Sequence, residues 1–282
     1  MPRQFRKYTP RETEFYRLQH ANQTLEFVEN QRRQHLQFNK GSLTVPDLVA
    51  KLNQVVDESD PDNEHTGSTM TQELHNLQTA AAVEQAGYPG WMVLVAFLHD
   101  GGKILVLPEY GGLPQWSVVG DTFVVGAPFP RDSRVVFPEF FDANPDSKNK
   151  LYQRETPEHF GMYRRGVGLN NVLMSFGHDE YMFQVITNHY NANQIPEKDR
   201  IPPAGLAMVR FHSFYPWHTG YGTRRAYTEL EDDTDRRMLH AVRKFSQGFD
   251  LYSKRGIEFD ATKLEARLKG LADRYLPGKI AV

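Results

Sequence analysis

The chain has 282 residues, 39% of them hydrophobic and 24% charged, enough apolar material for a substantial core and too much for a disordered chain. Thirty-three basic side chains against thirty-five acidic ones leave a formal charge of −2, so no global field draws the protein to nucleic acid or an anionic membrane. Cysteine is absent, which excludes disulfides, thiolate nucleophiles and cysteine-type metal sites; any metal must be held by His, Asp or Glu.

The polar start, MPRQFRKYTPRETEFY, carries no apolar signal region. The apolar spacing of Phe15, Leu18, Leu25, Phe27 and Val28 predicts a helix over 14–34. A second is predicted over 43–56, with Leu48, Val49, Leu52, Val55 and Val56 on one stripe. The acidic turn DESDPDNEHTG at 57–67 ends it, and Thr69 with Gln72 offers a capping box for the next helix, which Gly87 can close. Pro89-Gly90 then introduces WMVLVAFL, the longest apolar run. It is less than half of a bilayer span, and a helix apolar on every face belongs inside the domain.

Seven of the seventeen prolines fall between Pro108 and Pro157, so no long helix is expected there; WSVVG and TFVVG read as short β segments. Helical pattern returns at 171–175, 179–187 and 205–214. The last strong helix is predicted over 233–252, with Met238, Val242, Phe245 and Phe249 on one face. No stretch reads as a linker. The expectation is a mainly α, single-domain helical bundle over 1–282 with a loop-rich middle, soluble, cytoplasmic and monomeric, without nucleic-acid or membrane partners.

Of eleven histidines, His20, His35, His65, His159, His189 and His240 sit in polar or loop contexts. His75, His99, His178 and His212 lie in apolar or aromatic surroundings near helix ends, and an Asp follows two of them. A lone histidine of this kind is more often a core residue satisfied by a carbonyl; four together point to a metal site. Adjacent helical residues diverge by about 100°, so His99-Asp100 can turn toward one ion only where the helix ends. Asp250, after the last apolar-faced helix, offers a second carboxylate.

The order His…His-Asp…His…His…Asp resembles the HD-domain superfamily of helical metalloproteins. The strings DESDPD, LHNLQTA, FLHDGGK, PQWSVVGDTF, GHDEYMFQV, RFHSFYPWHTG and FDLYSK, in this order, resemble the myo-inositol oxygenase family. The resemblance runs from FRKYT (5–9) to YLPG (275–278). Relative to animal members, the chain is longer around 62–71, 190–205 and 219–235, stretches that read as loops.

The resemblance implies a mixed-valent Fe(II)/Fe(III) pair that cleaves the C1–C6 bond of myo-inositol with O2, giving D-glucuronate and water. One iron would take His75, His99, Asp100 and Asp250, the other His178 and His212, with Asp100 bridging. Four neutral imidazoles and two carboxylates leave the ions electron-poor and strongly Lewis-acidic. Lys103 would be catalytic, its ammonium favouring a deprotonated substrate hydroxyl. Arg6, Asp57, Glu58, Ser59, Gly120, Asp121, Ser213 and Lys254 would join Lys103 in binding the polyol, and an amino-terminal arm within 1–40 would cover the site. Read without the resemblance, Lys103 can cap a helix and 57–62 can be a solvated turn. The alternative activity is a metal-dependent phosphohydrolase of the wider HD superfamily.

Overall fold

Side-chain caps set most of the helix starts. In the computed structural model, which describes residues 8–57, 70–132, 134–251 and 257–282, Thr9 and Glu12 form a capping box in front of α1 (Pro10–Asn22). Thr24 caps α2 (Leu25–His35) by accepting from the Phe27 amide. The single helix predicted over 14–34 is therefore two. Gln23 makes the break: its amide group donates to the Phe176 carbonyl at 2.8 Å and accepts from the Phe176 amide at 3.0 Å, tying the joint to a distant loop.

β1 (Ser42–Leu43) precedes α3 (Val45–Lys51), which ends in a 3-10 turn, Leu52–Gln54. The next helix, α4 (Gln72–Gln85), is capped by Thr71, not Thr69; Thr69 lies outside the described residues. The expected Gly87 closure is present, its amide bonded to the Glu84 carbonyl. The apolar run forms α5 (Gly90–Leu98), buried from Met92 to Leu98.

The middle departs from expectation. Gln115–Ser117 is a 3-10 turn rather than a strand. The segment predicted as β at 122–126 and the one predicted as helix at 171–175 are extended neighbours, joined by one antiparallel bridge, Val124 to Met174. Val125 donates to the Leu173 carbonyl and Ser175 to that of Phe123, so the backbone polar groups are satisfied across the chain and not within a helix. The regular pairs among the described residues are small: β2 (His159–Phe160) with β3 (Tyr163–Arg164), and β1 with β4 (Ile280–Ala281).

The later helices are α6 (His178–Ala192), α7 (Pro203–Phe211), the short α8 (Tyr215–His218), α9 (Asp233–Phe245) and α10 (Ala261–Tyr275). α10 was not anticipated. α9 continues into a π turn, Ser246–Asp250. Helix α5 lies at the centre, against α4, α7 and α10, while α6 packs on α7. Among the described residues no helix is long and apolar enough to cross a membrane.

One buried histidine, packed among aromatic rings, makes the fold acid-sensitive. His20 stacks on Phe141 with ring centroids 4.2 Å apart, and its Nδ1 donates to the Phe137 carbonyl. Burial pushes its pKa down to about 3, from 6.5. The unfolded chain therefore binds a proton that the folded one refuses, and stability falls as pH drops from about 6.5 toward 3. At pH 5 the cost is about 2 kcal/mol. Urea unfolding at pH 7 and pH 5 should show a loss larger in the parent than in His20→Phe by about that amount; equal losses would refute the assignment.

Candidate metal and substrate site

Three pieces of local structure bring the histidines inward. α5 ends at Leu98, so His99 and Asp100 sit where the backbone leaves the helix for the 3-10 turn Gly101–Val106. That turn runs beside the start of α6 so closely that a Cβ at Gly102 would collide with the His178 carbonyl. Only glycine permits the approach that sets His178 beside Asp100. The π turn after α9 adds a residue to one helical turn and brings Asp250 to the same place.

All six expected ligands meet there, and each is almost fully buried. Asp100 faces two ways. Its Oδ2 lies 3.6 Å from His75 Nε2 and 3.5 Å from His99 Nε2, while Oδ1 lies 3.2 Å from His178 Nε2 and 3.5 Å from His212 Nε2. Asp250 Oδ1 joins the first half, 3.0 Å from His75 Nε2 and 3.6 Å from His99 Nε2. With metal–ligand bonds of about 2.0–2.2 Å, neighbouring donor atoms stand roughly 3 Å apart, so these spacings suit the edges of two coordination shells sharing one carboxylate. His75, His99 and Asp250 form one compact donor group, and His99, Asp100 and His212 another.

Tautomers sharpen the fit. His99, His178 and His212 each direct Nδ1 at a main-chain carbonyl, of Ala96, Val118 and Val209, at 2.8–2.9 Å. A carbonyl only accepts, so each neutral ring donates from Nδ1 and turns an Nε2 lone pair inward. His178 and His212 thus present two lone pairs to each other across 3.0 Å. A cation bound between them resolves that repulsion. Burial works against a charged His99 ring, yet Asp100 and Asp250 outweigh it and raise its pKa, so the cavity favours positive charge.

Lys103 is buried, and its ammonium bonds Asp57 Oδ2 at 2.8 Å, Gln72 Oε1 at 2.7 Å and Asp100 Oδ2 at 2.9 Å. Those three bonds use all its protons, so it does not cap a helix end. Burial alone would lower its pKa, but Asp100 and Asp57 raise it. Burial likewise pushes Asp100 up, and Lys103 and His99 hold it well below the usual carboxylate range.

Of the expected polyol contacts, Asp57, Asp121 and Ser213 are buried here. Ser213 Oγ lies 3.3 Å from His178 Nε2, and the Thr122 amide donates to the Ser213 carbonyl. Gly120, at φ +87°, presses against the Phe15 ring and Gln19 of α1, leaving no room for a side chain. Arg6, Glu58, Ser59 and Lys254 lie outside the described residues.

Sequence spacing missed four contributors. His218, neutral because burial lowers its pKa to about 4, donates from Nε2 to the His212 carbonyl. Tyr215 is raised well above its usual pKa, by burial first and then by Asp250, Asp121 and Asp100, so it stands among these carboxylates. Glu180 and Arg210 pair at 2.7 Å between α6 and α7, fully buried, two residues from His178 and His212 respectively. Glu180→Gln leaves the guanidinium without its anion and should cost about 3 kcal/mol in urea unfolding. A change below about 1 kcal/mol would mean the pair does not hold the two helices together.

The fold and site thus define a helical protein whose buried His and Asp side chains could hold metal. Residues 9–282 match the family described as myo-inositol oxygenase. The chain is 43% identical to the inositol oxygenase of Homo sapiens over 265 residues, covering 93% of this chain and 84% of that protein. It is 41% identical to inositol oxygenase 2 of Arabidopsis thaliana over 269 residues, 95% of this chain and 77% of the relative. With the Dictyostelium discoideum inositol oxygenase it shares 36% identity over 285 residues, 98% and 89% of the two chains. The chain belongs to the myo-inositol oxygenase family.

Proposed function

We infer that the protein is an inositol oxygenase that cleaves the C1–C6 bond of myo-inositol with O2, giving D-glucuronate and water. The observation that carries this reading is Asp100, one carboxylate with an oxygen toward each pair of histidines and an ammonium on its flank. His75, His99, Asp100 and Asp250 would hold one iron, and His178 and His212 the other, with Asp100 common to both. A mixed-valent iron pair, when bound, supplies O2 activation and Lewis acidity.

The remaining work falls to the chain. A hexahydroxy ring wants charged and bidentate hydrogen-bond partners, and Asp57, Asp121, Ser213 and Lys103 are of that kind. Lys103 keeps its proton and, placed beside a substrate hydroxyl, favours loss of that hydroxyl's proton. Gly120 turns the loop that carries Asp121. Arg6, Glu58, Ser59 and Lys254 are assigned to the polyol on the resemblance alone. The reading also takes the amino-terminal 1–40 as a cover over the site, supported by the Tyr16 hydroxyl of α1, 3.5 Å from Asp121 Oδ1.

The deciding experiment loads the purified chain with iron, counts the ions per chain and follows O2 in an electrode cell. Uptake that begins on adding myo-inositol, with glucuronate formed, supports the reading. Phosphate release from phosphomonoesters with no O2 uptake would replace it with the hydrolase alternative.

A further inference from the structure

The stretch around 219–235, which reads as a loop in the sequence, reaches the site. Its Tyr221 lies in a tight turn, Gly220–Gly222, with φ 48° and ψ 33°. That left-handed conformation is unfavourable for a residue with a Cβ and persists only where surrounding contacts impose it. The contacts are specific. The Tyr221 amide donates to Thr219 Oγ1 at 3.0 Å, and its ring lies against Tyr215, centroids 5.8 Å apart. Its hydroxyl donates to Asp121 Oδ2. A hundred residues separate donor from acceptor, and the other Asp121 oxygen faces the Tyr16 hydroxyl at 3.5 Å.

We propose that Tyr221 is a specificity-determining residue: its phenol fixes the orientation of the Asp121 carboxylate and so sets the direction from which Asp121 accepts a polyol hydroxyl. A ring with a hydroxyl inverted offers its proton from the wrong side. The strained turn is the means by which an otherwise peripheral loop delivers a rigid donor to a buried carboxylate. Tyr221 acts through Asp121 and is a positioning residue, removed from the bond that breaks. The proposal rests on the reading of Asp121 as a polyol contact.

Tyr221→Phe removes the hydroxyl and keeps the ring. Initial O2-uptake rates on iron-loaded protein, with myo-inositol and with scyllo-inositol as the epimer, should show KM for myo-inositol raised about ten-fold, far more than kcat falls. The preference for myo- over scyllo-inositol should shrink several-fold. In an Asp121→Asn background the same substitution should change neither quantity further. If the phenylalanine variant misfolds, Tyr221→Asn serves, since Asn accepts the left-handed backbone but is too short to replace the phenol. Parent values of KM and epimer preference in the variant would overturn the proposal while leaving the proposed function standing. Absence of myo-inositol-dependent uptake by the parent would overturn both.

Discussion

Asp100→Asn is expected to yield protein with less than one iron per chain and no measurable O2 uptake. The reason lies in what an amide puts in place of a carboxylate. Asp100 presents an oxygen to His75 and His99 on one side and to His178 and His212 on the other. An asparagine keeps one oxygen and turns an NH2 group toward the opposite pair, where it donates to the imidazole lone pairs and blocks a cation. The loss in affinity should exceed the 10–100-fold typical of removing an outer-shell partner. Asp250→Asn is the contrasting variant, because Asp250 Oδ1 lies beside His75 and His99, on one side of Asp100. It should retain about one iron. Elemental analysis after reconstitution separates the cases, and two ions retained by Asp100→Asn would refute the shared carboxylate.

How much of this was legible in the sequence depends on whether the signal is local. The convergence of the six side chains around Asp100 was, because His99-Asp100 ends an apolar helix and His75, His178, His212 and Asp250 stand in a recognisable order. So was the buried helix α5, since a run apolar on all faces has no solvent side to show. Helix α10 carries Leu264, Leu268, Leu271, Ala272 and Tyr275 on its buried face behind the Asp260 cap, a helical period that is local and therefore present in the sequence. The segment 171–175 has a helix-compatible composition, but its backbone is claimed by Phe123 and Val125, so tertiary pairing overrides local preference. Nothing near Tyr221 in the chain announces Asp121, nor does anything near Glu180 announce Arg210. Such partners are chosen by the fold.

Lys103→Met is expected to keep both irons and to lose turnover per iron-loaded molecule by at least ten- to a hundred-fold. Three side chains share the ammonium, and one of them, Asp100, is the carboxylate common to both donor groups. A metal ion and Lys103 therefore compete for the same Oδ2. Removing the ammonium makes Asp100 a better ligand, so metal loss is not the route by which activity falls. To act on the substrate, Lys103 must trade its bond to Gln72 or Asp57 for one to a polyol oxygen. Losing that bond costs roughly 1.5–3 kcal/mol when the oxygen is anionic, which sets the expected range. The variant also removes the charge-assisted bond from Lys103 to Asp57, and a drop of roughly 1.5–3 kcal/mol in unfolding free energy is expected alongside. Stability alone thus cannot separate a catalytic from a structural lysine; the rate per folded, metal-loaded molecule can. If Lys103→Met melts lower, holds two irons and still consumes O2 at the parent rate, the lysine only braces Asp57 against Asp100, and the proton of the substrate hydroxyl is managed without it.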